Sequence, residues 1–314
     1  MLEALVVKDG VIMKFTKMQG AGNDFVLVET SDMERDWSPL AVAMCDRHYG
    51  IGADGLLLLL PSDVADCRMR IFNADGSEAD ACGNGLRCLV KYFVDGGLAN
   101  PELQETSVET ITGVRKARIY TAANALTKVK VDMGKPKFGA KDVPVTIEES
   151  NGRIVDIKSM INYSLTVDGQ ELELNLLSVG NPHAVYFCPQ PVSDFPLPRL
   201  GPKVELNRIF PKGVNFEVAR VLGRKRIEAR VWERGVGETL ACGSGACAIT
   251  VAAHLLGYVD RKADIKLPGG ILEVEWAEGG EVFLSGPAET VFSGEWVEKT
   301  TNKEELKRGF ASLA

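Results

Sequence analysis

The sequence has few of the residues that build metal sites and redox centres. It contains three histidines, at positions 48, 183 and 254, and no two of its seven cysteines are spaced as Cys-x-x-Cys. Zinc sites and thioredoxin-like centres use such spacings, so we expect no bound metal. An odd number of cysteines in a cytosolic chain is typical of reduced thiols, most of them buried.

The sequence also lacks a long apolar run and a concentration of basic charge. Its longest purely aliphatic stretch covers residues 56–60, whereas a membrane-spanning helix needs about 20 apolar residues. The net charge is −7, with both signs interspersed, which argues against nucleic-acid or anionic-membrane partners. Residues 1–10 have no basic start and no apolar core, so we predict no signal peptide. We expect a soluble, cytoplasmic protein and interpret residues 1–12 as a dispensable extension.

An internal repeat is the main feature that the sequence does have. Residues 81–85 read ACGNG and residues 241–245 read ACGSG, an offset of 160 residues. Residues 70–73 match residues 230–233 at the same offset. Two further matches, 22–23 with 180–181 and 112–114 with 269–271, have offsets within three residues of it. Four matches in the same order indicate two copies of one fold.

Short strand-like segments predict the α+β class. They cover residues 25–29, 56–60, 68–72, 128–132, 154–157, 172–176, 271–276 and 281–285, and the later ones have no helices between them, which favours antiparallel sheets. A helix follows the Gly-x-Gly of each copy, and the second, at 246–257, is apolar on nearly every side and must be buried. We therefore predict two pseudo-symmetric domains, each a mixed or antiparallel sheet wrapped round a central helix, with the active site in the cleft between them.

The domain boundary is predicted in the Gly/Pro/Lys-rich segment 134–144. The N-terminal half then covers residues 1–140 and contains Cys82, and the C-terminal half covers residues 141–287 and contains Cys242. The segment 288–314 has no counterpart in the first half and could join the N-terminal half. A further helix is predicted from Ser38, as an N-cap before proline, to Gly50.

Cys82 and Cys242 are the strongest candidates for chemistry, because each stands directly before a Gly-x-Gly that opens a helix. The free N–H groups and the positive end of the helix are expected to lower the pKa of each thiol and to bind a substrate carboxylate. Two thiols facing one carbon suit a reaction in which one removes a proton and the other returns a proton from the opposite side. The other five cysteines are assigned to packing.

The sequence resembles the diaminopimelate epimerase family over residues 15 to 294. The motifs that carry the resemblance are KMQGAGNDF, DRHYGIGADG, FNADGSEADACGNGLRC, VGNPHAV, GVNFEV, ERGVGETLACGSGACA and LPGG. The resemblance implies interconversion of LL- and meso-diaminopimelate in lysine and peptidoglycan biosynthesis. It also implies the two-domain fold, no metal, no pyridoxal phosphate, a homodimer, and an inactivating disulfide between the two active cysteines.

The resemblance also implies roles for individual residues. Cys82 and Cys242 match the paired base and acid, and His183 and Glu233 match the groups that assist them. Asn23 matches a residue near the reacting amino group. Backbone N–H groups of Gly83, Asn84, Gly243 and Ser244 match the carboxylate cradle, and the residues that match the grip on the distal end of the substrate are Asn73, Asn181, Asn215, Glu233 and Arg234.

Three other interpretations stay open at this point. The chain could racemise a smaller amino acid such as proline or hydroxyproline, although such a substrate has no distal carboxylate for Arg234. It could be a thiol–disulfide redox protein, or a binding module of the same fold without catalysis. Gly55 departs from the glutamine that some family members carry after GIG-x-D, which leaves open how the amino group is held.

Overall fold

The computed structural model describes residues 5–7, 10–79, 82–98, 104–122, 125–146 and 160–298. The strand predicted at 154–157 lies outside these residues. The strands of the first half are β1 (Leu5–Val7), β2 (Gly10–Gly20), β3 (Asn23–Glu29), β4 (Gly55–Leu60), β5 (Cys67–Asn73), β6 (Glu105–Thr110), β7 (Gly113–Ala122) and β8 (Ala125–Asp132). The later strands are β9 (Tyr163–Val167), β10 (Gln170–Ser178), β11 (Pro182–Phe187), β12 (Asn215–Gly223), β13 (Arg226–Glu233), β14 (Gly237–Thr239), β15 (Lys262–Leu267), β16 (Gly270–Trp276), β17 (Val282–Gly286) and β18 (Glu289–Glu298).

Four α-helices have their bounds within the described ranges. They are α1 (Ser38–Cys45), α2 (Gly83–Asp95), α3 (Leu197–Glu205) and α4 (Gly243–Leu255), with a short 3-10 turn at Val192–Asp194. No helix in these ranges is both long and apolar enough to cross a membrane.

The two halves pair their strands in the same order and sense. In the first half, β2–β3 is antiparallel, β3–β4 parallel, β4–β5 antiparallel and β5–β6 parallel, and β6, β7 and β8 continue as an antiparallel meander. In the second half, β10, β11, β12, β13, β15, β16 and β17 repeat this pattern step by step. The predicted repeat and the α+β fold class with mixed sheets are confirmed.

One antiparallel ladder joins the sheets of the two halves. Strand β17 pairs with β8, with Val129 opposite Gly286 and Val131 opposite Leu284. Hydrogen bonding therefore continues from one copy into the other, and the two central helices are enclosed by connected sheets.

The last described strand completes the sheet of the first half. Strand β18 pairs antiparallel with β2 over almost its whole length, from Gln19–Glu289 to Val11–Glu298, as β9 pairs with β10 in the second half. By this pairing its equivalent is β9 of the second half, and the expectation that the segment has no counterpart in the first half stays a prediction. Residues 11 and 12 form the end of this ladder, and the interpretation of residues 1–12 as a dispensable extension stays a prediction.

Helices α2 and α4 lie at the centre of the halves. Leu86, Leu89 and Val90 of α2 are buried, and residues 245–253 of α4 are buried without interruption. The sheet encloses α4 on all sides, which explains why its sequence has no polar face.

Helix α1 differs from its prediction at both ends. The residue before the helix is Trp37, no side chain caps it, and the helix ends at Cys45. The chain turns back after Cys45 because the Asp46 carboxylate accepts hydrogen bonds from the backbone N–H groups of His48 and Tyr49.

Candidate active site

Both cysteines occupy the N-cap position of a central helix. The Sγ atom of Cys82 accepts a hydrogen bond from Gly85 N at 3.3 Å, and Cys242 Sγ accepts one from Gly245 N at 3.4 Å. The repeat has therefore placed two thiols in the same local geometry, each at the positive end of a helix.

The N-termini of the two helices meet. A Cβ atom on Gly243 would lie 3.7 Å from Gly83 Cα and 3.4 Å from Asn84 Oδ1. The side chain of Leu284 covers both glycines, since its Cδ2 would lie 2.9 Å from a Cβ on Gly83 and 2.8 Å from one on Gly243. The absence of side chains at these glycines allows the close approach, so both cysteine motifs contribute to one site.

Burial raises the pKa of both thiols, contrary to the prediction. The pKa of Cys82 rises to about 11, mainly through desolvation, although the N–H groups of Gly85 and Asn84 lower it. The pKa of Cys242 rises well above its usual value through burial and the nearby carboxylates of Glu233 and Glu217. The helix termini do stabilise the thiolates, but removal from water costs more. Each thiol is therefore protonated at neutral pH until another group takes its proton.

Glu233 is the group in contact with the Cys242 thiol. Burial raises the pKa of the Glu233 carboxyl, and hydrogen bonds from the Thr239 hydroxyl and the Cys242 thiol oppose this rise. The Thr239 Oγ1–Glu233 Oε1 distance is 2.6 Å. Ser244 Oγ lies 3.5 Å from Cys242 Sγ. This arrangement gives Cys242 a proton acceptor.

His183 is completely buried and bonded to two neighbours. Its Nδ1 lies 2.7 Å from Glu217 Oε1 and its Nε2 lies 2.8 Å from Asn181 Oδ1. Neither bond reaches a thiol, so the predicted assistance to the thiol pair is not visible as a direct contact. The parallel register that sets His183 opposite Asn215 places this histidine beside β12.

Glu217 is a residue that the sequence interpretation missed. Its carboxylate is fully buried, and a Cβ on Gly245 would lie 2.9 Å from its Oε1, so it lies against the N-terminus of α4. The signal was available in the sequence, because a charged residue inside the apolar run NFEVA is unusual and needs a partner.

Asn23 is held beside Cys82 by a network of charged residues. Its Oδ1 accepts hydrogen bonds from Asn84 Nδ2 at 3.1 Å and from the Cys82 thiol at 3.7 Å, and its Nδ2 donates to Asp54 Oδ2 at 2.7 Å. Arg47 binds both Asp54 and Asp24, and it contributes with Lys17 to lowering the pKa of Asp24 to about 2. These charged residues, also missed from the sequence, fix Asn23.

Gly55 leaves no room for a side chain. A Cβ on Gly55 would lie 2.7 Å from the backbone oxygen of Phe72 on the paired strand β5. A side chain such as glutamine does not fit this backbone, and the neighbouring Asp54 accepts the hydrogen bond from Asn23.

Replacement of Gly55 by alanine is expected to lower the free energy of unfolding by about 1–3 kcal/mol, the usual cost of overpacking. Urea denaturation followed by circular dichroism measures the change. Gly223→Ala is the matched control, because a Cβ at that glycine meets no atom within 4 Å. Equal stability of the two variants would contradict the steric argument.

Some of the residues predicted to bind the distal end of the substrate have their polar side-chain atoms already bonded within the protein. Both polar atoms of the Asn215 amide bind backbone, since Nδ2 donates to Pro182 O and Oδ1 accepts from Arg234 N. Arg234 is exposed, and its guanidinium binds only Lys212 O at 3.3 Å within the described part of the chain. Asn73 is exposed and donates to Ser77 Oγ. Asn215 therefore positions Arg234, whose guanidinium stays available for a carboxylate.

Within the described ranges, no group of three or more His, Cys, Asp or Glu side chains could hold a metal ion. All seven cysteines are free thiols.

Comparison with known proteins identifies the family. The profile of the family described as diaminopimelate epimerase matches residues 15–139 and 175–291. The chain is 45% identical over 289 residues to the diaminopimelate epimerase of Desulfovibrio desulfuricans, which covers 91% of this chain and 99% of that protein. It is 42% identical over 285 residues to the diaminopimelate epimerase of Methanococcus maripaludis, covering 90% of this chain and 99% of the relative.

Solved structures share the fold at lower identity. A hydroxyproline epimerase from Agrobacterium vitis, bound to trans-4-hydroxy-L-proline, superposes with a TM-score of 0.67 at 14% identity, covering 92% of this chain and 94% of that one. A phenazine biosynthesis protein from Bacillus anthracis superposes with a TM-score of 0.65 at 18% identity, covering 91% and 99%. These likenesses concern the fold, whereas the sequence matches are specific: the chain belongs to the diaminopimelate epimerase family.

Proposed function

We propose that this protein is an isomerase that interconverts LL- and meso-diaminopimelate, with one thiol removing the α-proton and the other giving its own proton to the opposite side of the carbon. The observation that carries the proposal is the pair of N-capping cysteines, Cys82 and Cys242, on two helices whose N-termini meet. Neither a single thiol nor two distant ones would allow removal and return of a proton on opposite sides of one carbon. The family membership supports diaminopimelate as the substrate.

The reaction begins with transfer of the Cys242 proton to Glu233. The resulting thiolate takes the α-proton, and the Cys82 thiol gives its proton to the opposite side of the carbanion. Cys82 is then a thiolate and Glu233 is protonated, and exchange of these protons with solvent restores the starting state. In the reverse direction the Cys82 thiolate is the base and the Cys242 thiol is the acid. Burial keeps both thiols protonated in the free protein, which suits a mechanism that needs one acid at the start of each turnover.

The α-carboxylate binds between the helix ends. The first N–H groups of a helix have no intrahelical partner, so we assign those of Gly83 and Asn84 on α2 and of Gly243 and Ser244 on α4 to this carboxylate. They stabilise the negative charge that spreads from the carbanion onto the carboxylate. We assign no metal and no cofactor to this step.

The distal end of the substrate is assigned to Arg234, with Asn73, Asn181 and Glu233 as further contacts. The Arg234 guanidinium is exposed and has no carboxylate partner among the described residues, which suits bidentate binding of a carboxylate. This argues against proline or hydroxyproline, which have no distal carboxylate. The raised thiol pKa values argue against a redox role, because reactive redox cysteines have low pKa values. A cytoplasmic location and a homodimer stay predictions from the sequence.

Proton NMR of the reduced protein with LL-diaminopimelate in D2O tests the function. We expect the α-proton signal to disappear while the meso isomer forms, without added cofactor. Proline and hydroxyproline in parallel samples are expected to keep their α-protons. An unchanged α-proton in diaminopimelate would overturn the substrate assignment, and exchange in proline would favour the small-substrate alternative.

A further inference from the structure

Arg87 is a fully buried arginine one turn into α2. Its relative exposure is 0%, and burial lowers the pKa of its guanidinium. A Cβ on Gly20 or Gly286 would lie 3.3 Å or 3.2 Å from guanidinium atoms, so the group is enclosed between two strands. A buried guanidinium is costly unless negative charge compensates it.

The described part of the chain places no carboxylate against this guanidinium. The guanidinium donates to Asn84 Oδ1 at 2.8 Å and to the backbone oxygens of Gly83 and Pro287 at 3.3 Å. Among the described residues, no carboxylate pairs with Arg87, and the ionisable groups that act on it are the thiols of Cys82, Cys88 and Cys247. This cation hydrogen-bonds directly to Gly83 and Asn84, two residues of the proposed carboxylate cradle.

A directed chain of hydrogen bonds leads from Arg87 past Cys82. Arg87 donates to Asn84 Oδ1, Asn84 Nδ2 donates to Asn23 Oδ1, and Asn23 Nδ2 donates to Asp54 Oδ2. Each amide accepts on one side and donates on the other, so the cation at one end fixes both amide orientations. This leaves the Asn23 oxygen facing the Cys82 thiol.

Arg87 has no charged equivalent in the second copy of the repeat. Its equivalent on α4, 160 residues later, is Cys247, which is buried and neutral. The charged groups that act on Cys82 are Arg87 and Glu233, whereas those that act on Cys242 are Glu233 and Glu217. Two thiols with equal backbone geometry therefore differ in their surroundings, since Glu233 acts on both, while Cys82 also has a cation nearby and Cys242 a second carboxylate.

We propose that Arg87 is a positioning residue whose buried charge compensates the anion formed at the N-terminus of α2, the Cys82 thiolate together with the α-carboxylate, and orients Asn84 and Asn23 toward it. The role at the carboxylate rests on the proposed function. The role at the thiol does not, because it concerns the free protein.

Three variants separate charge from shape. Arg87→Met removes both, Arg87→Gln keeps a donor for Asn84 without charge, and Arg87→Lys keeps the charge without the planar fork. Alkylation of Cys82 by iodoacetamide at pH 9, located by peptide mass spectrometry, reports the thiolate fraction. We expect about tenfold slower alkylation in Arg87→Met and Arg87→Gln, as for a rise of about one unit in thiol pKa, and a rate near the wild type in Arg87→Lys.

Epimerisation and unfolding complete the test. We expect kcat/KM to fall about 100-fold in Arg87→Met, and less in Arg87→Lys, while the unfolding temperature stays within a few degrees, because a buried charge without a partner adds little stability. Arg220→Met, which removes a half-buried arginine paired with Glu228, is the control.

The proposal fails if alkylation and kcat/KM are unchanged, or if stability drops in all three variants while Cys82 reacts at the wild-type rate. If Arg87→Met does not fold, the comparison of Arg87→Gln with Arg87→Lys decides. If the wild type does not epimerise diaminopimelate but the variants slow alkylation, the proposed function fails and the role of Arg87 at the thiol stands.

Discussion

Epimerisation of diaminopimelate is expected to fall by about three orders of magnitude when either Cys82 or Cys242 is replaced by alanine. General acid–base groups contribute about 10²–10⁴-fold, and the loss of one thiol leaves either no base or no acid. Proton NMR in D2O, started from each isomer separately, measures both inversion and α-proton exchange.

The two variants are expected to differ in exchange. Cys82→Ala keeps Cys242 with its partner Glu233, so it should exchange the α-proton of one isomer without inverting it. Cys242→Ala should exchange the other isomer only. This pattern would also assign each thiol to a stereoisomer, which the symmetry of the repeat leaves open.

Cys188→Ala is the matched control for the cysteine variants. Cys188 is a buried free thiol whose Sγ donates to Gln190 O, apart from both helix termini, and its loss should leave the rate close to that of the wild type. Near-normal epimerisation by both Cys82→Ala and Cys242→Ala would refute the two-thiol mechanism.

Replacement of Glu233 by glutamine is expected to lower kcat about 100-fold at pH 7, the second large effect. Glutamine cannot accept the Cys242 proton, so the thiol must ionise on its own. Loss of the negative charge lowers the pKa of Cys242, but burial, the largest cause of its rise, remains. The thiolate fraction then grows about tenfold per pH unit while the pH is below that pKa.

The pH dependence distinguishes this role from a structural one. In Glu233→Gln we expect kcat to increase steadily from pH 6 to pH 10, whereas the wild-type rate should level off once Glu233 is ionised. Glu238→Gln is the matched control, since Glu238 is a nearby carboxylate paired with Arg230. Equal pH profiles for Glu233→Gln and the wild type would show that Glu233 does not take the proton.

The sequence predicted the architecture because the informative patterns lie within short segments and the main ones occur in both copies of the repeat. Strand β4 is an unbroken aliphatic run, and the two Gly-x-Gly motifs mark the starts of α2 and α4. Helix α3 could not be predicted in this way, since its sequence LPRLGPKVE contains glycine and an internal proline. Burial of Leu197, Leu200 and Val204 outweighs that poor helix propensity.

The sequence predicted the two cysteines of the candidate site, but it did not predict the pKa values of their thiols. The motifs identified both cysteines, yet the expected low thiol pKa values were wrong, because sequence does not tell how completely a helix terminus is removed from water. Glu217 and Arg87 stand within recognised motifs but were not singled out. Their importance depends on burial, of Glu217 beside His183 and of Arg87 without a carboxylate partner among the described residues, which only the folded chain reveals.

The position of β18 has a consequence for how the chain is made. Strand β2 leaves the ribosome early, but its partner follows some 270 residues later, as in the Gln19–Glu289 hydrogen bond. Until then β2 is an 11-residue strand with one open edge, the kind of edge that pairs with other chains. Native pairing of such distant segments is slow to form. We therefore expect the chain to be most prone to aggregation while the first half has been synthesised and β18 has not.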